Sequence, residues 1–177
     1  EIVVDFKLAQ EKGIIHYKYD TIEAATLKYL LNFLLSKENQ EQFISTLFEQ
    51  YFSGEEEKLH NELYMNEDQI YELGQLDYIG SHGYDHDPIA LKNEKEQEIQ
   101  IEKSCKVLSK VTGNEIYSFS YPYGSFNSCN GLATKLSSAG IKFAFTMERA
   151  LNNKIENPYY LSRFDNNDMP LGKAYKH

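Results

Sequence analysis

Apolar positions change their spacing near the middle of this chain. From Asp20 to about Leu76 they recur every three to four residues, the period of an amphipathic helix. Ile22, Ala25, Tyr29, Leu30, Phe33 and Leu34 form one stripe, with Asp20 placed to cap its start and Glu23 to reach back. Phe43, Ile44, Leu47, Phe48 and Tyr51 form a second, expected to be the buried side of a helix that opens after Ser36 and stops before Gly54. A third helix is expected from Asn66, where Gln69 completes a capping box and Met65 and Ile70 are placed as a hydrophobic staple. Residues 20–76 therefore read as a helical hairpin followed by a short helix.

From Asp77 onward the pattern alternates. Tyr78–Ser81, Ile116–Tyr121 and Ile141–Thr146 are short runs of strand type. Between them, Asn93 with Glu96 opens a helix that turns Ile101, Cys105 and Leu108 inward and ends at Gly113, and Asn127–Ala139 is expected to be one helix stopped by Gly140. Alternation of this kind predicts parallel strands with helices packed outside. In such folds ligands gather beyond the carboxyl ends of the strands.

Two compact signals lie at those ends. The first is Ser81-His82-Gly83-Tyr84-Asp85-His86-Asp87-Pro88, whose histidines, four positions apart, are expected on one side of a helical turn as half of a metal site. Asp85 and Asp87 flank the second histidine, but neighbouring turn residues splay apart, so both are expected to be capping or solvated carboxylates. The second signal, Phe119-Ser120-Tyr121-Pro122-Tyr123-Gly124, reads as a strand ending in a rigid turn whose backbone faces a pocket. Taken singly, each has a plain structural reading: a chance pair of surface histidines, and a turn tyrosine packing its ring.

Bulk composition narrows the field. A chain of 177 residues is one domain's worth, and residues 1–177 are expected to form a single domain. A formal net charge of −9 repels phosphate backbones, so nucleic acid is not expected as a partner. The longest apolar stretches, Tyr29–Leu31 and Phe33–Leu35, fall far short of the ~20 residues that span a bilayer. Cys105 and Cys129 are expected to be independent thiols, Cys105 on the apolar face of its helix. Fourteen tyrosines and no tryptophan suit stacking on sugar faces as well as an ordinary core.

Residues from Ile79 to about Pro170 resemble the NodB-homology polysaccharide deacetylases, the carbohydrate esterases that remove N-acetyl groups from amino sugars. The resemblance is carried by Ser81–His86, by Lys110-Val111-Thr112-Gly113, by Tyr121-Pro122-Tyr123-Gly124 and by Ala139–Thr146. It implies a partial or distorted (β/α) barrel with an N-terminal helical insertion at residues 20–76. It implies His82 and His86 as ligands of Zn2+ or another divalent metal, and Tyr123 as the residue whose backbone N–H meets the oxyanion. Tyr121, Pro122 and Tyr123 would line the substrate groove. Arg163 and Asp165 lie where the family's chain returns to that groove, placed to bind sugar hydroxyls or orient a catalytic group. The partner implied is an N-acetylated glycan or sugar precursor.

Three family elements have no match. No Asp-Asp pair occurs anywhere in the chain, Ser120 stands where the groove motif carries arginine, and no Leu-x-x-x-His motif is present; His177 lacks that context. The start at Glu1, directly followed by Ile2-Val3-Val4, is read as the sign of a longer protein whose first strand lies upstream. The expected activity is metal-dependent N-deacetylation, with a non-catalytic carbohydrate-binding module on the same fold as the alternative. A helical protein-interaction domain centred on residues 20–76 is a third reading. Compartment stays open between bacterial cytoplasm and cell envelope.

Overall fold

A computed structural model describes residues 4–170; Glu1–Val3 and the C-terminal residues from Leu171, including His177, lie outside the described residues. The chain divides into two compact units, Glu1–Tyr64 and Met65–His177.

The first unit is helical. Helix α1, Phe6–His16, packs on α2, Ile22–Tyr29. Gly13 lies where any Cβ would come within 2.5 Å of the Ala25 carbonyl oxygen, so the two backbones approach as only glycine allows. The cap of α2 is Thr21, whose hydroxyl accepts from the Ala24 N–H at 3.3 Å. Asp20, expected in that role, instead pairs with Lys28 at 2.6 Å. A π-helical turn at Leu30–Leu34 ends this segment. Helices α3, Lys37–Phe52, and α4, Glu56–Leu63, follow. Ser36 caps α3 as its position predicts. The expected buried stripe is corrected, because α3 buries no residue, and Ile44, Leu47 and Tyr51 are exposed. Periodicity marks an apolar face; it does not supply a neighbour to cover it.

The second unit opens with α5, Glu67–Gln75, whose Asn66–Gln69 capping box forms as expected. Helix α6, Glu94–Thr112, carries the Asn93–Glu96 box and ends at Gly113 in the left-handed region. Strands β1, Ser118–Ser120, and β2, Phe143–Phe145, pair in parallel, Phe119 opposite Ala144. Single parallel bridges extend the ladder on both sides, Ser81 to Phe119 and Phe145 to Leu161. The expected helix at 127–139 is two pieces, α7 at Phe126–Cys129 and α8 at Ala133–Ser138, interrupted at Asn130-Gly131.

One face of this small sheet sends Phe119 and Ala144 into a core with Ile101 and Cys105 of α6, Cys129 of α7 and Leu136 of α8. Each fully buried large apolar side chain contributes about 1.5–3 kcal/mol. Strand–helix–strand connectivity with parallel pairing is thus as the sequence predicts. The partial or distorted barrel is not established by it: among the described residues the strands are two of three residues each, flanked by single bridges, and most regular structure is helical.

Candidate metal and ligand site

Four chain segments run in parallel beside one another, and each delivers a side chain to one cavity at its carboxyl end. Ser81 donates its N–H to Ser118 O at 2.9 Å, and Ser120 returns the bond to Ser81 O at 2.8 Å. On the other side, Leu161 N–H donates to Ala144 O, and Arg163 N–H to Glu148 O, both at 2.9 Å. The residues that follow these ladders are His82 and His86, Tyr123, Arg149 and Arg163, and they line a cavity of about 390 Å³ together with Asp165.

The histidine rings lie 4.9 Å apart between centroids, and His86 lies 5.3 Å from the ring of Tyr123. Their local structure corrects the helical-turn expectation. Residues 82–88 form no helix, and His86 has φ +56°. A loop, not a helical face, brings the rings together. Tyr123 is also in the left-handed region, at φ +62°. Non-glycine residues there cost of order 1–3 kcal/mol and persist where the surroundings over-determine them. For Tyr123 the reason is next door: a Cβ on Gly124 would lie 2.7 Å from the Met147 nitrogen, and Met147 N–H donates to Gly124 O at 2.9 Å.

The His86 loop is held from beneath by α6. Gln100, buried to 6% exposure, accepts from the N–H groups of Tyr84 and Asp85 at 3.1 and 2.9 Å. Its amide donates to the Asp85 carboxylate at 2.6 Å. Asp87 pairs with Lys92 at 2.9 Å. Both aspartates are therefore engaged in holding the loop, Asp85 through Gln100 and Asp87 through Lys92, rather than as caps or solvated carboxylates. Gln100 is the loop-holding residue that sequence reasoning missed; it shares the buried face of α6 with Ile101, Ser104, Cys105 and Thr112, so polarity alone does not single it out.

His82 is fixed through its other nitrogen, since Nδ1 lies 2.6 Å from the Ser120 carbonyl oxygen. A carbonyl only accepts, so Nδ1 carries the proton and Nε2 keeps its lone pair. Burial, with the positive fields of His86 and Arg163, holds the His82 imidazole below its ordinary value against the opposing pull of the Ser120 carbonyl. Neutral, tautomer-fixed imidazole is the form that ligates a metal.

The donor set fits part of a metal site. Two imidazoles converge, one oriented by the Ser120 backbone carbonyl, and the Ser120 hydroxyl is buried without a hydrogen-bond partner among the described residues. A catalytic zinc takes three protein ligands plus water, and no group of three metal-capable side chains occurs among the described residues.

The remaining expected residues divide. Tyr123, Arg163 and Asp165 share the cavity with the histidines. Tyr121 reaches it too, although the residue is buried and its hydroxyl donates to Tyr159 O at 3.0 Å. Pro122 is fully buried and does not line the cavity. Asp165 caps the short turn Asn166–Asp168, and the Asn167 N–H bonding to its carboxylate holds that group below the usual range.

Residues 65–144 match the family model described as polysaccharide deacetylase, which bears out the resemblance read from four short motifs, although the match ends at residue 144 and not near Pro170. The match starts at Met65, where the second unit starts. A polysaccharide deacetylase from Bacillus cereus is similar at 17% identity and TM-score 0.47, over 56% of this chain and 32% of that one. A Bacillus anthracis protein assigned to the polysaccharide deacetylases is similar at 16% identity and TM-score 0.46, with the same coverage. The chain thus spans about a third of the length of these solved structures. No curated protein matches it.

Proposed function

Starting from a polysaccharide deacetylase segment at residues 65–144, we propose that this chain belongs to a metal-dependent hydrolase that removes N-acetyl groups from amino sugars of a glycan or glycan precursor. The observation that carries the reading is the pair of histidine rings 4.9 Å apart in a cavity at the carboxyl ends of parallel segments. The segments at Ser81, β1, β2 and Leu161 are, on this reading, consecutive strands of a partial (β/α) barrel.

His82 through Nε2, together with His86, would hold Zn2+ or another divalent ion, with further ligands from outside the described residues. Such an ion supplies Lewis acidity toward the acetamide carbonyl and a water of lowered pKa. The chain's own contribution is orientation. The Ser120 carbonyl keeps the proton of His82 on Nδ1, and Gln100 keeps the His86 loop in place. The backbone N–H of Tyr123 is the proposed donor to the oxygen on which negative charge develops. Arg163 and Asp165 orient the sugar across the cavity from the histidines. General base and general acid are not assigned among the described residues.

The binding-module alternative is favoured by one observation, the lack of a third metal-capable side chain beside the pair among the described residues. Acetate release from N-acetylglucosamine oligomers, measured with added divalent metal, separates the two. Turnover abolished by the His82→Ala, His86→Ala double variant supports the hydrolase; sugar binding without turnover supports the module. Full activity in the double variant refutes the assignment.

A further inference from the structure

The two histidines are held in different frames. His82 follows Ser81, whose N–H and carbonyl are both bonded to the segment of β1, and its own ring is bonded to the Ser120 carbonyl. It therefore moves with the sheet. His86 lies in a loop hung from α6: Gln100 holds Tyr84 and Asp85, and the Lys103 ammonium lies 3.7 Å from the centre of the Tyr84 ring. It therefore moves with the helix. The distance between the two rings depends on what fixes the sheet against the helix at this end of the fold.

Ile101 and Cys105 of α6 share the core with Phe119 of β1, but apolar attraction is non-directional and does not set a register. A directional tie lies one turn along from Gln100. Ser81 Oγ is 2.6 Å from Ser104 Oγ, and the two residues are buried to 1% and 5% exposure. Ser104 Oγ is also 2.9 Å from the Ile101 carbonyl oxygen. A carbonyl only accepts, so the single Ser104 proton points there and the Ser81 hydroxyl donates to Ser104. Both hydroxyls also bond the Cys105 thiol, a weaker partner. Gln100 and Ser104, four residues apart, lie on one face of α6 and ~6 Å apart along its axis. One supports the His86 loop, and the other grips the residue before His82.

We propose that Ser104 is a positioning residue for the histidine pair: its hydroxyl ties the sheet segment that carries His82 to the helix from which the His86 loop hangs, and so sets the separation of the two imidazoles. The inference rests on the reading of the pair as metal ligands and adds that their spacing is built into the fold before any ion binds.

NMR of the full chain without metal tests it, through the ring-to-ring nuclear Overhauser contact of His82 and His86, whose centroids lie 4.9 Å apart. Ser104→Ala should weaken this contact while the His82 proton stays on Nδ1, because the bond to Ser120 lies within the sheet frame. Zinc affinity should fall roughly tenfold, as for other supports of metal ligands. The single variant also strands the Ser81 hydroxyl and loosens the fold. The Ser81→Ala, Ser104→Ala double variant removes both polar groups, so its urea midpoint should recover, while the ring contact and zinc affinity stay low. Ring contact and affinity that recover together with stability in the double variant would show a merely structural role and overturn the proposal. An unchanged ring contact in Ser104→Ala overturns it too. Zinc that fails to bind the unaltered chain counts instead against the metal reading, and the ring contact still decides whether Ser104 sets the spacing.

Discussion

His82 and Ser120, thirty-eight positions apart, are joined by a 2.6 Å contact from the imidazole Nδ1 to the backbone carbonyl oxygen. The bond crosses from the segment after Ser81 to the end of β1, so the parallel ladder that sets the sheet register also sets the tautomer of the histidine. It predicts a titration. Burial first, then the fields of His86 and Arg163, depress the His82 pKa below 6.5. The folded chain therefore holds fewer protons at this group than the unfolded chain does. Its contribution to stability is complete above about pH 6.5 and is lost as pH falls through that value toward the folded pKa. An imidazole NMR titration should place the His82 midpoint below 6.5 in the native protein; a midpoint at or above 6.5 would contradict the burial argument.

Gln100 supports the loop between the two histidines with three hydrogen bonds. Replacing it with alanine leaves two backbone N–H groups and a carboxylate without their partner, at a cost of about 1–3 kcal/mol. Urea unfolding of Gln100→Ala should show this loss, and the His86 ring resonances should shift more than those of His60 in the first unit. Unchanged stability and unchanged His86 resonances would mean that the loop holds itself.

Much of this second unit is legible in the sequence, and the reason is local. Capping boxes at Asn66 and Asn93 and the stop at Gly113 are written within four or five residues, and all three form. Parallel pairing follows from the alternation of strand and helix. The failures are the non-local ones. An i, i+4 histidine pair suits a helix, but Gln100 on a distant helix supplies the bonds that hold residues 84 and 85 in an irregular loop. The stripe on α3 says that one face is apolar and cannot say how much of it is covered: Phe43 and Phe48 are half-buried, whereas Ile44, Leu47 and Tyr51 are exposed. Asp20 had a cap's chemistry, yet Lys28, one turn beyond reach of any capping pattern, claims its carboxylate.

Two glycines separate conformational from steric cost. Gly113 and Gly124 both lie at positive φ, +73° and +61°, but a Cβ at Gly113 meets nothing within 4 Å, whereas at Gly124 it meets the Met147 nitrogen at 2.7 Å. Gly113→Ala should cost about 1–2 kcal/mol, and Gly124→Ala that amount plus roughly 1–3 kcal/mol of overpacking. Denaturant midpoints in the reverse order would refute the close approach beneath Tyr123.

Cys105 and Cys129 are both free and buried. Burial raises both thiols, with the Glu148 charge adding to the shift at Cys129, which reaches about 12. Thiolate is the reactive form, so neither should react with an alkylating reagent at neutral pH until the chain unfolds. Mass spectrometry after a timed exposure, with and without denaturant, reads this directly, and rapid native labelling of Cys129 would show that the core around α7 opens.

The central claim is that His82 and His86 form part of a metal site. Equilibrium dialysis against Zn2+ followed by elemental analysis, with the unaltered chain beside the His82→Ala, His86→Ala variant, tests it most directly. The account predicts one zinc ion retained per chain, more weakly than by a three-ligand site, and lost in the variant. Zinc absent from both, or retained equally by both, would contradict it.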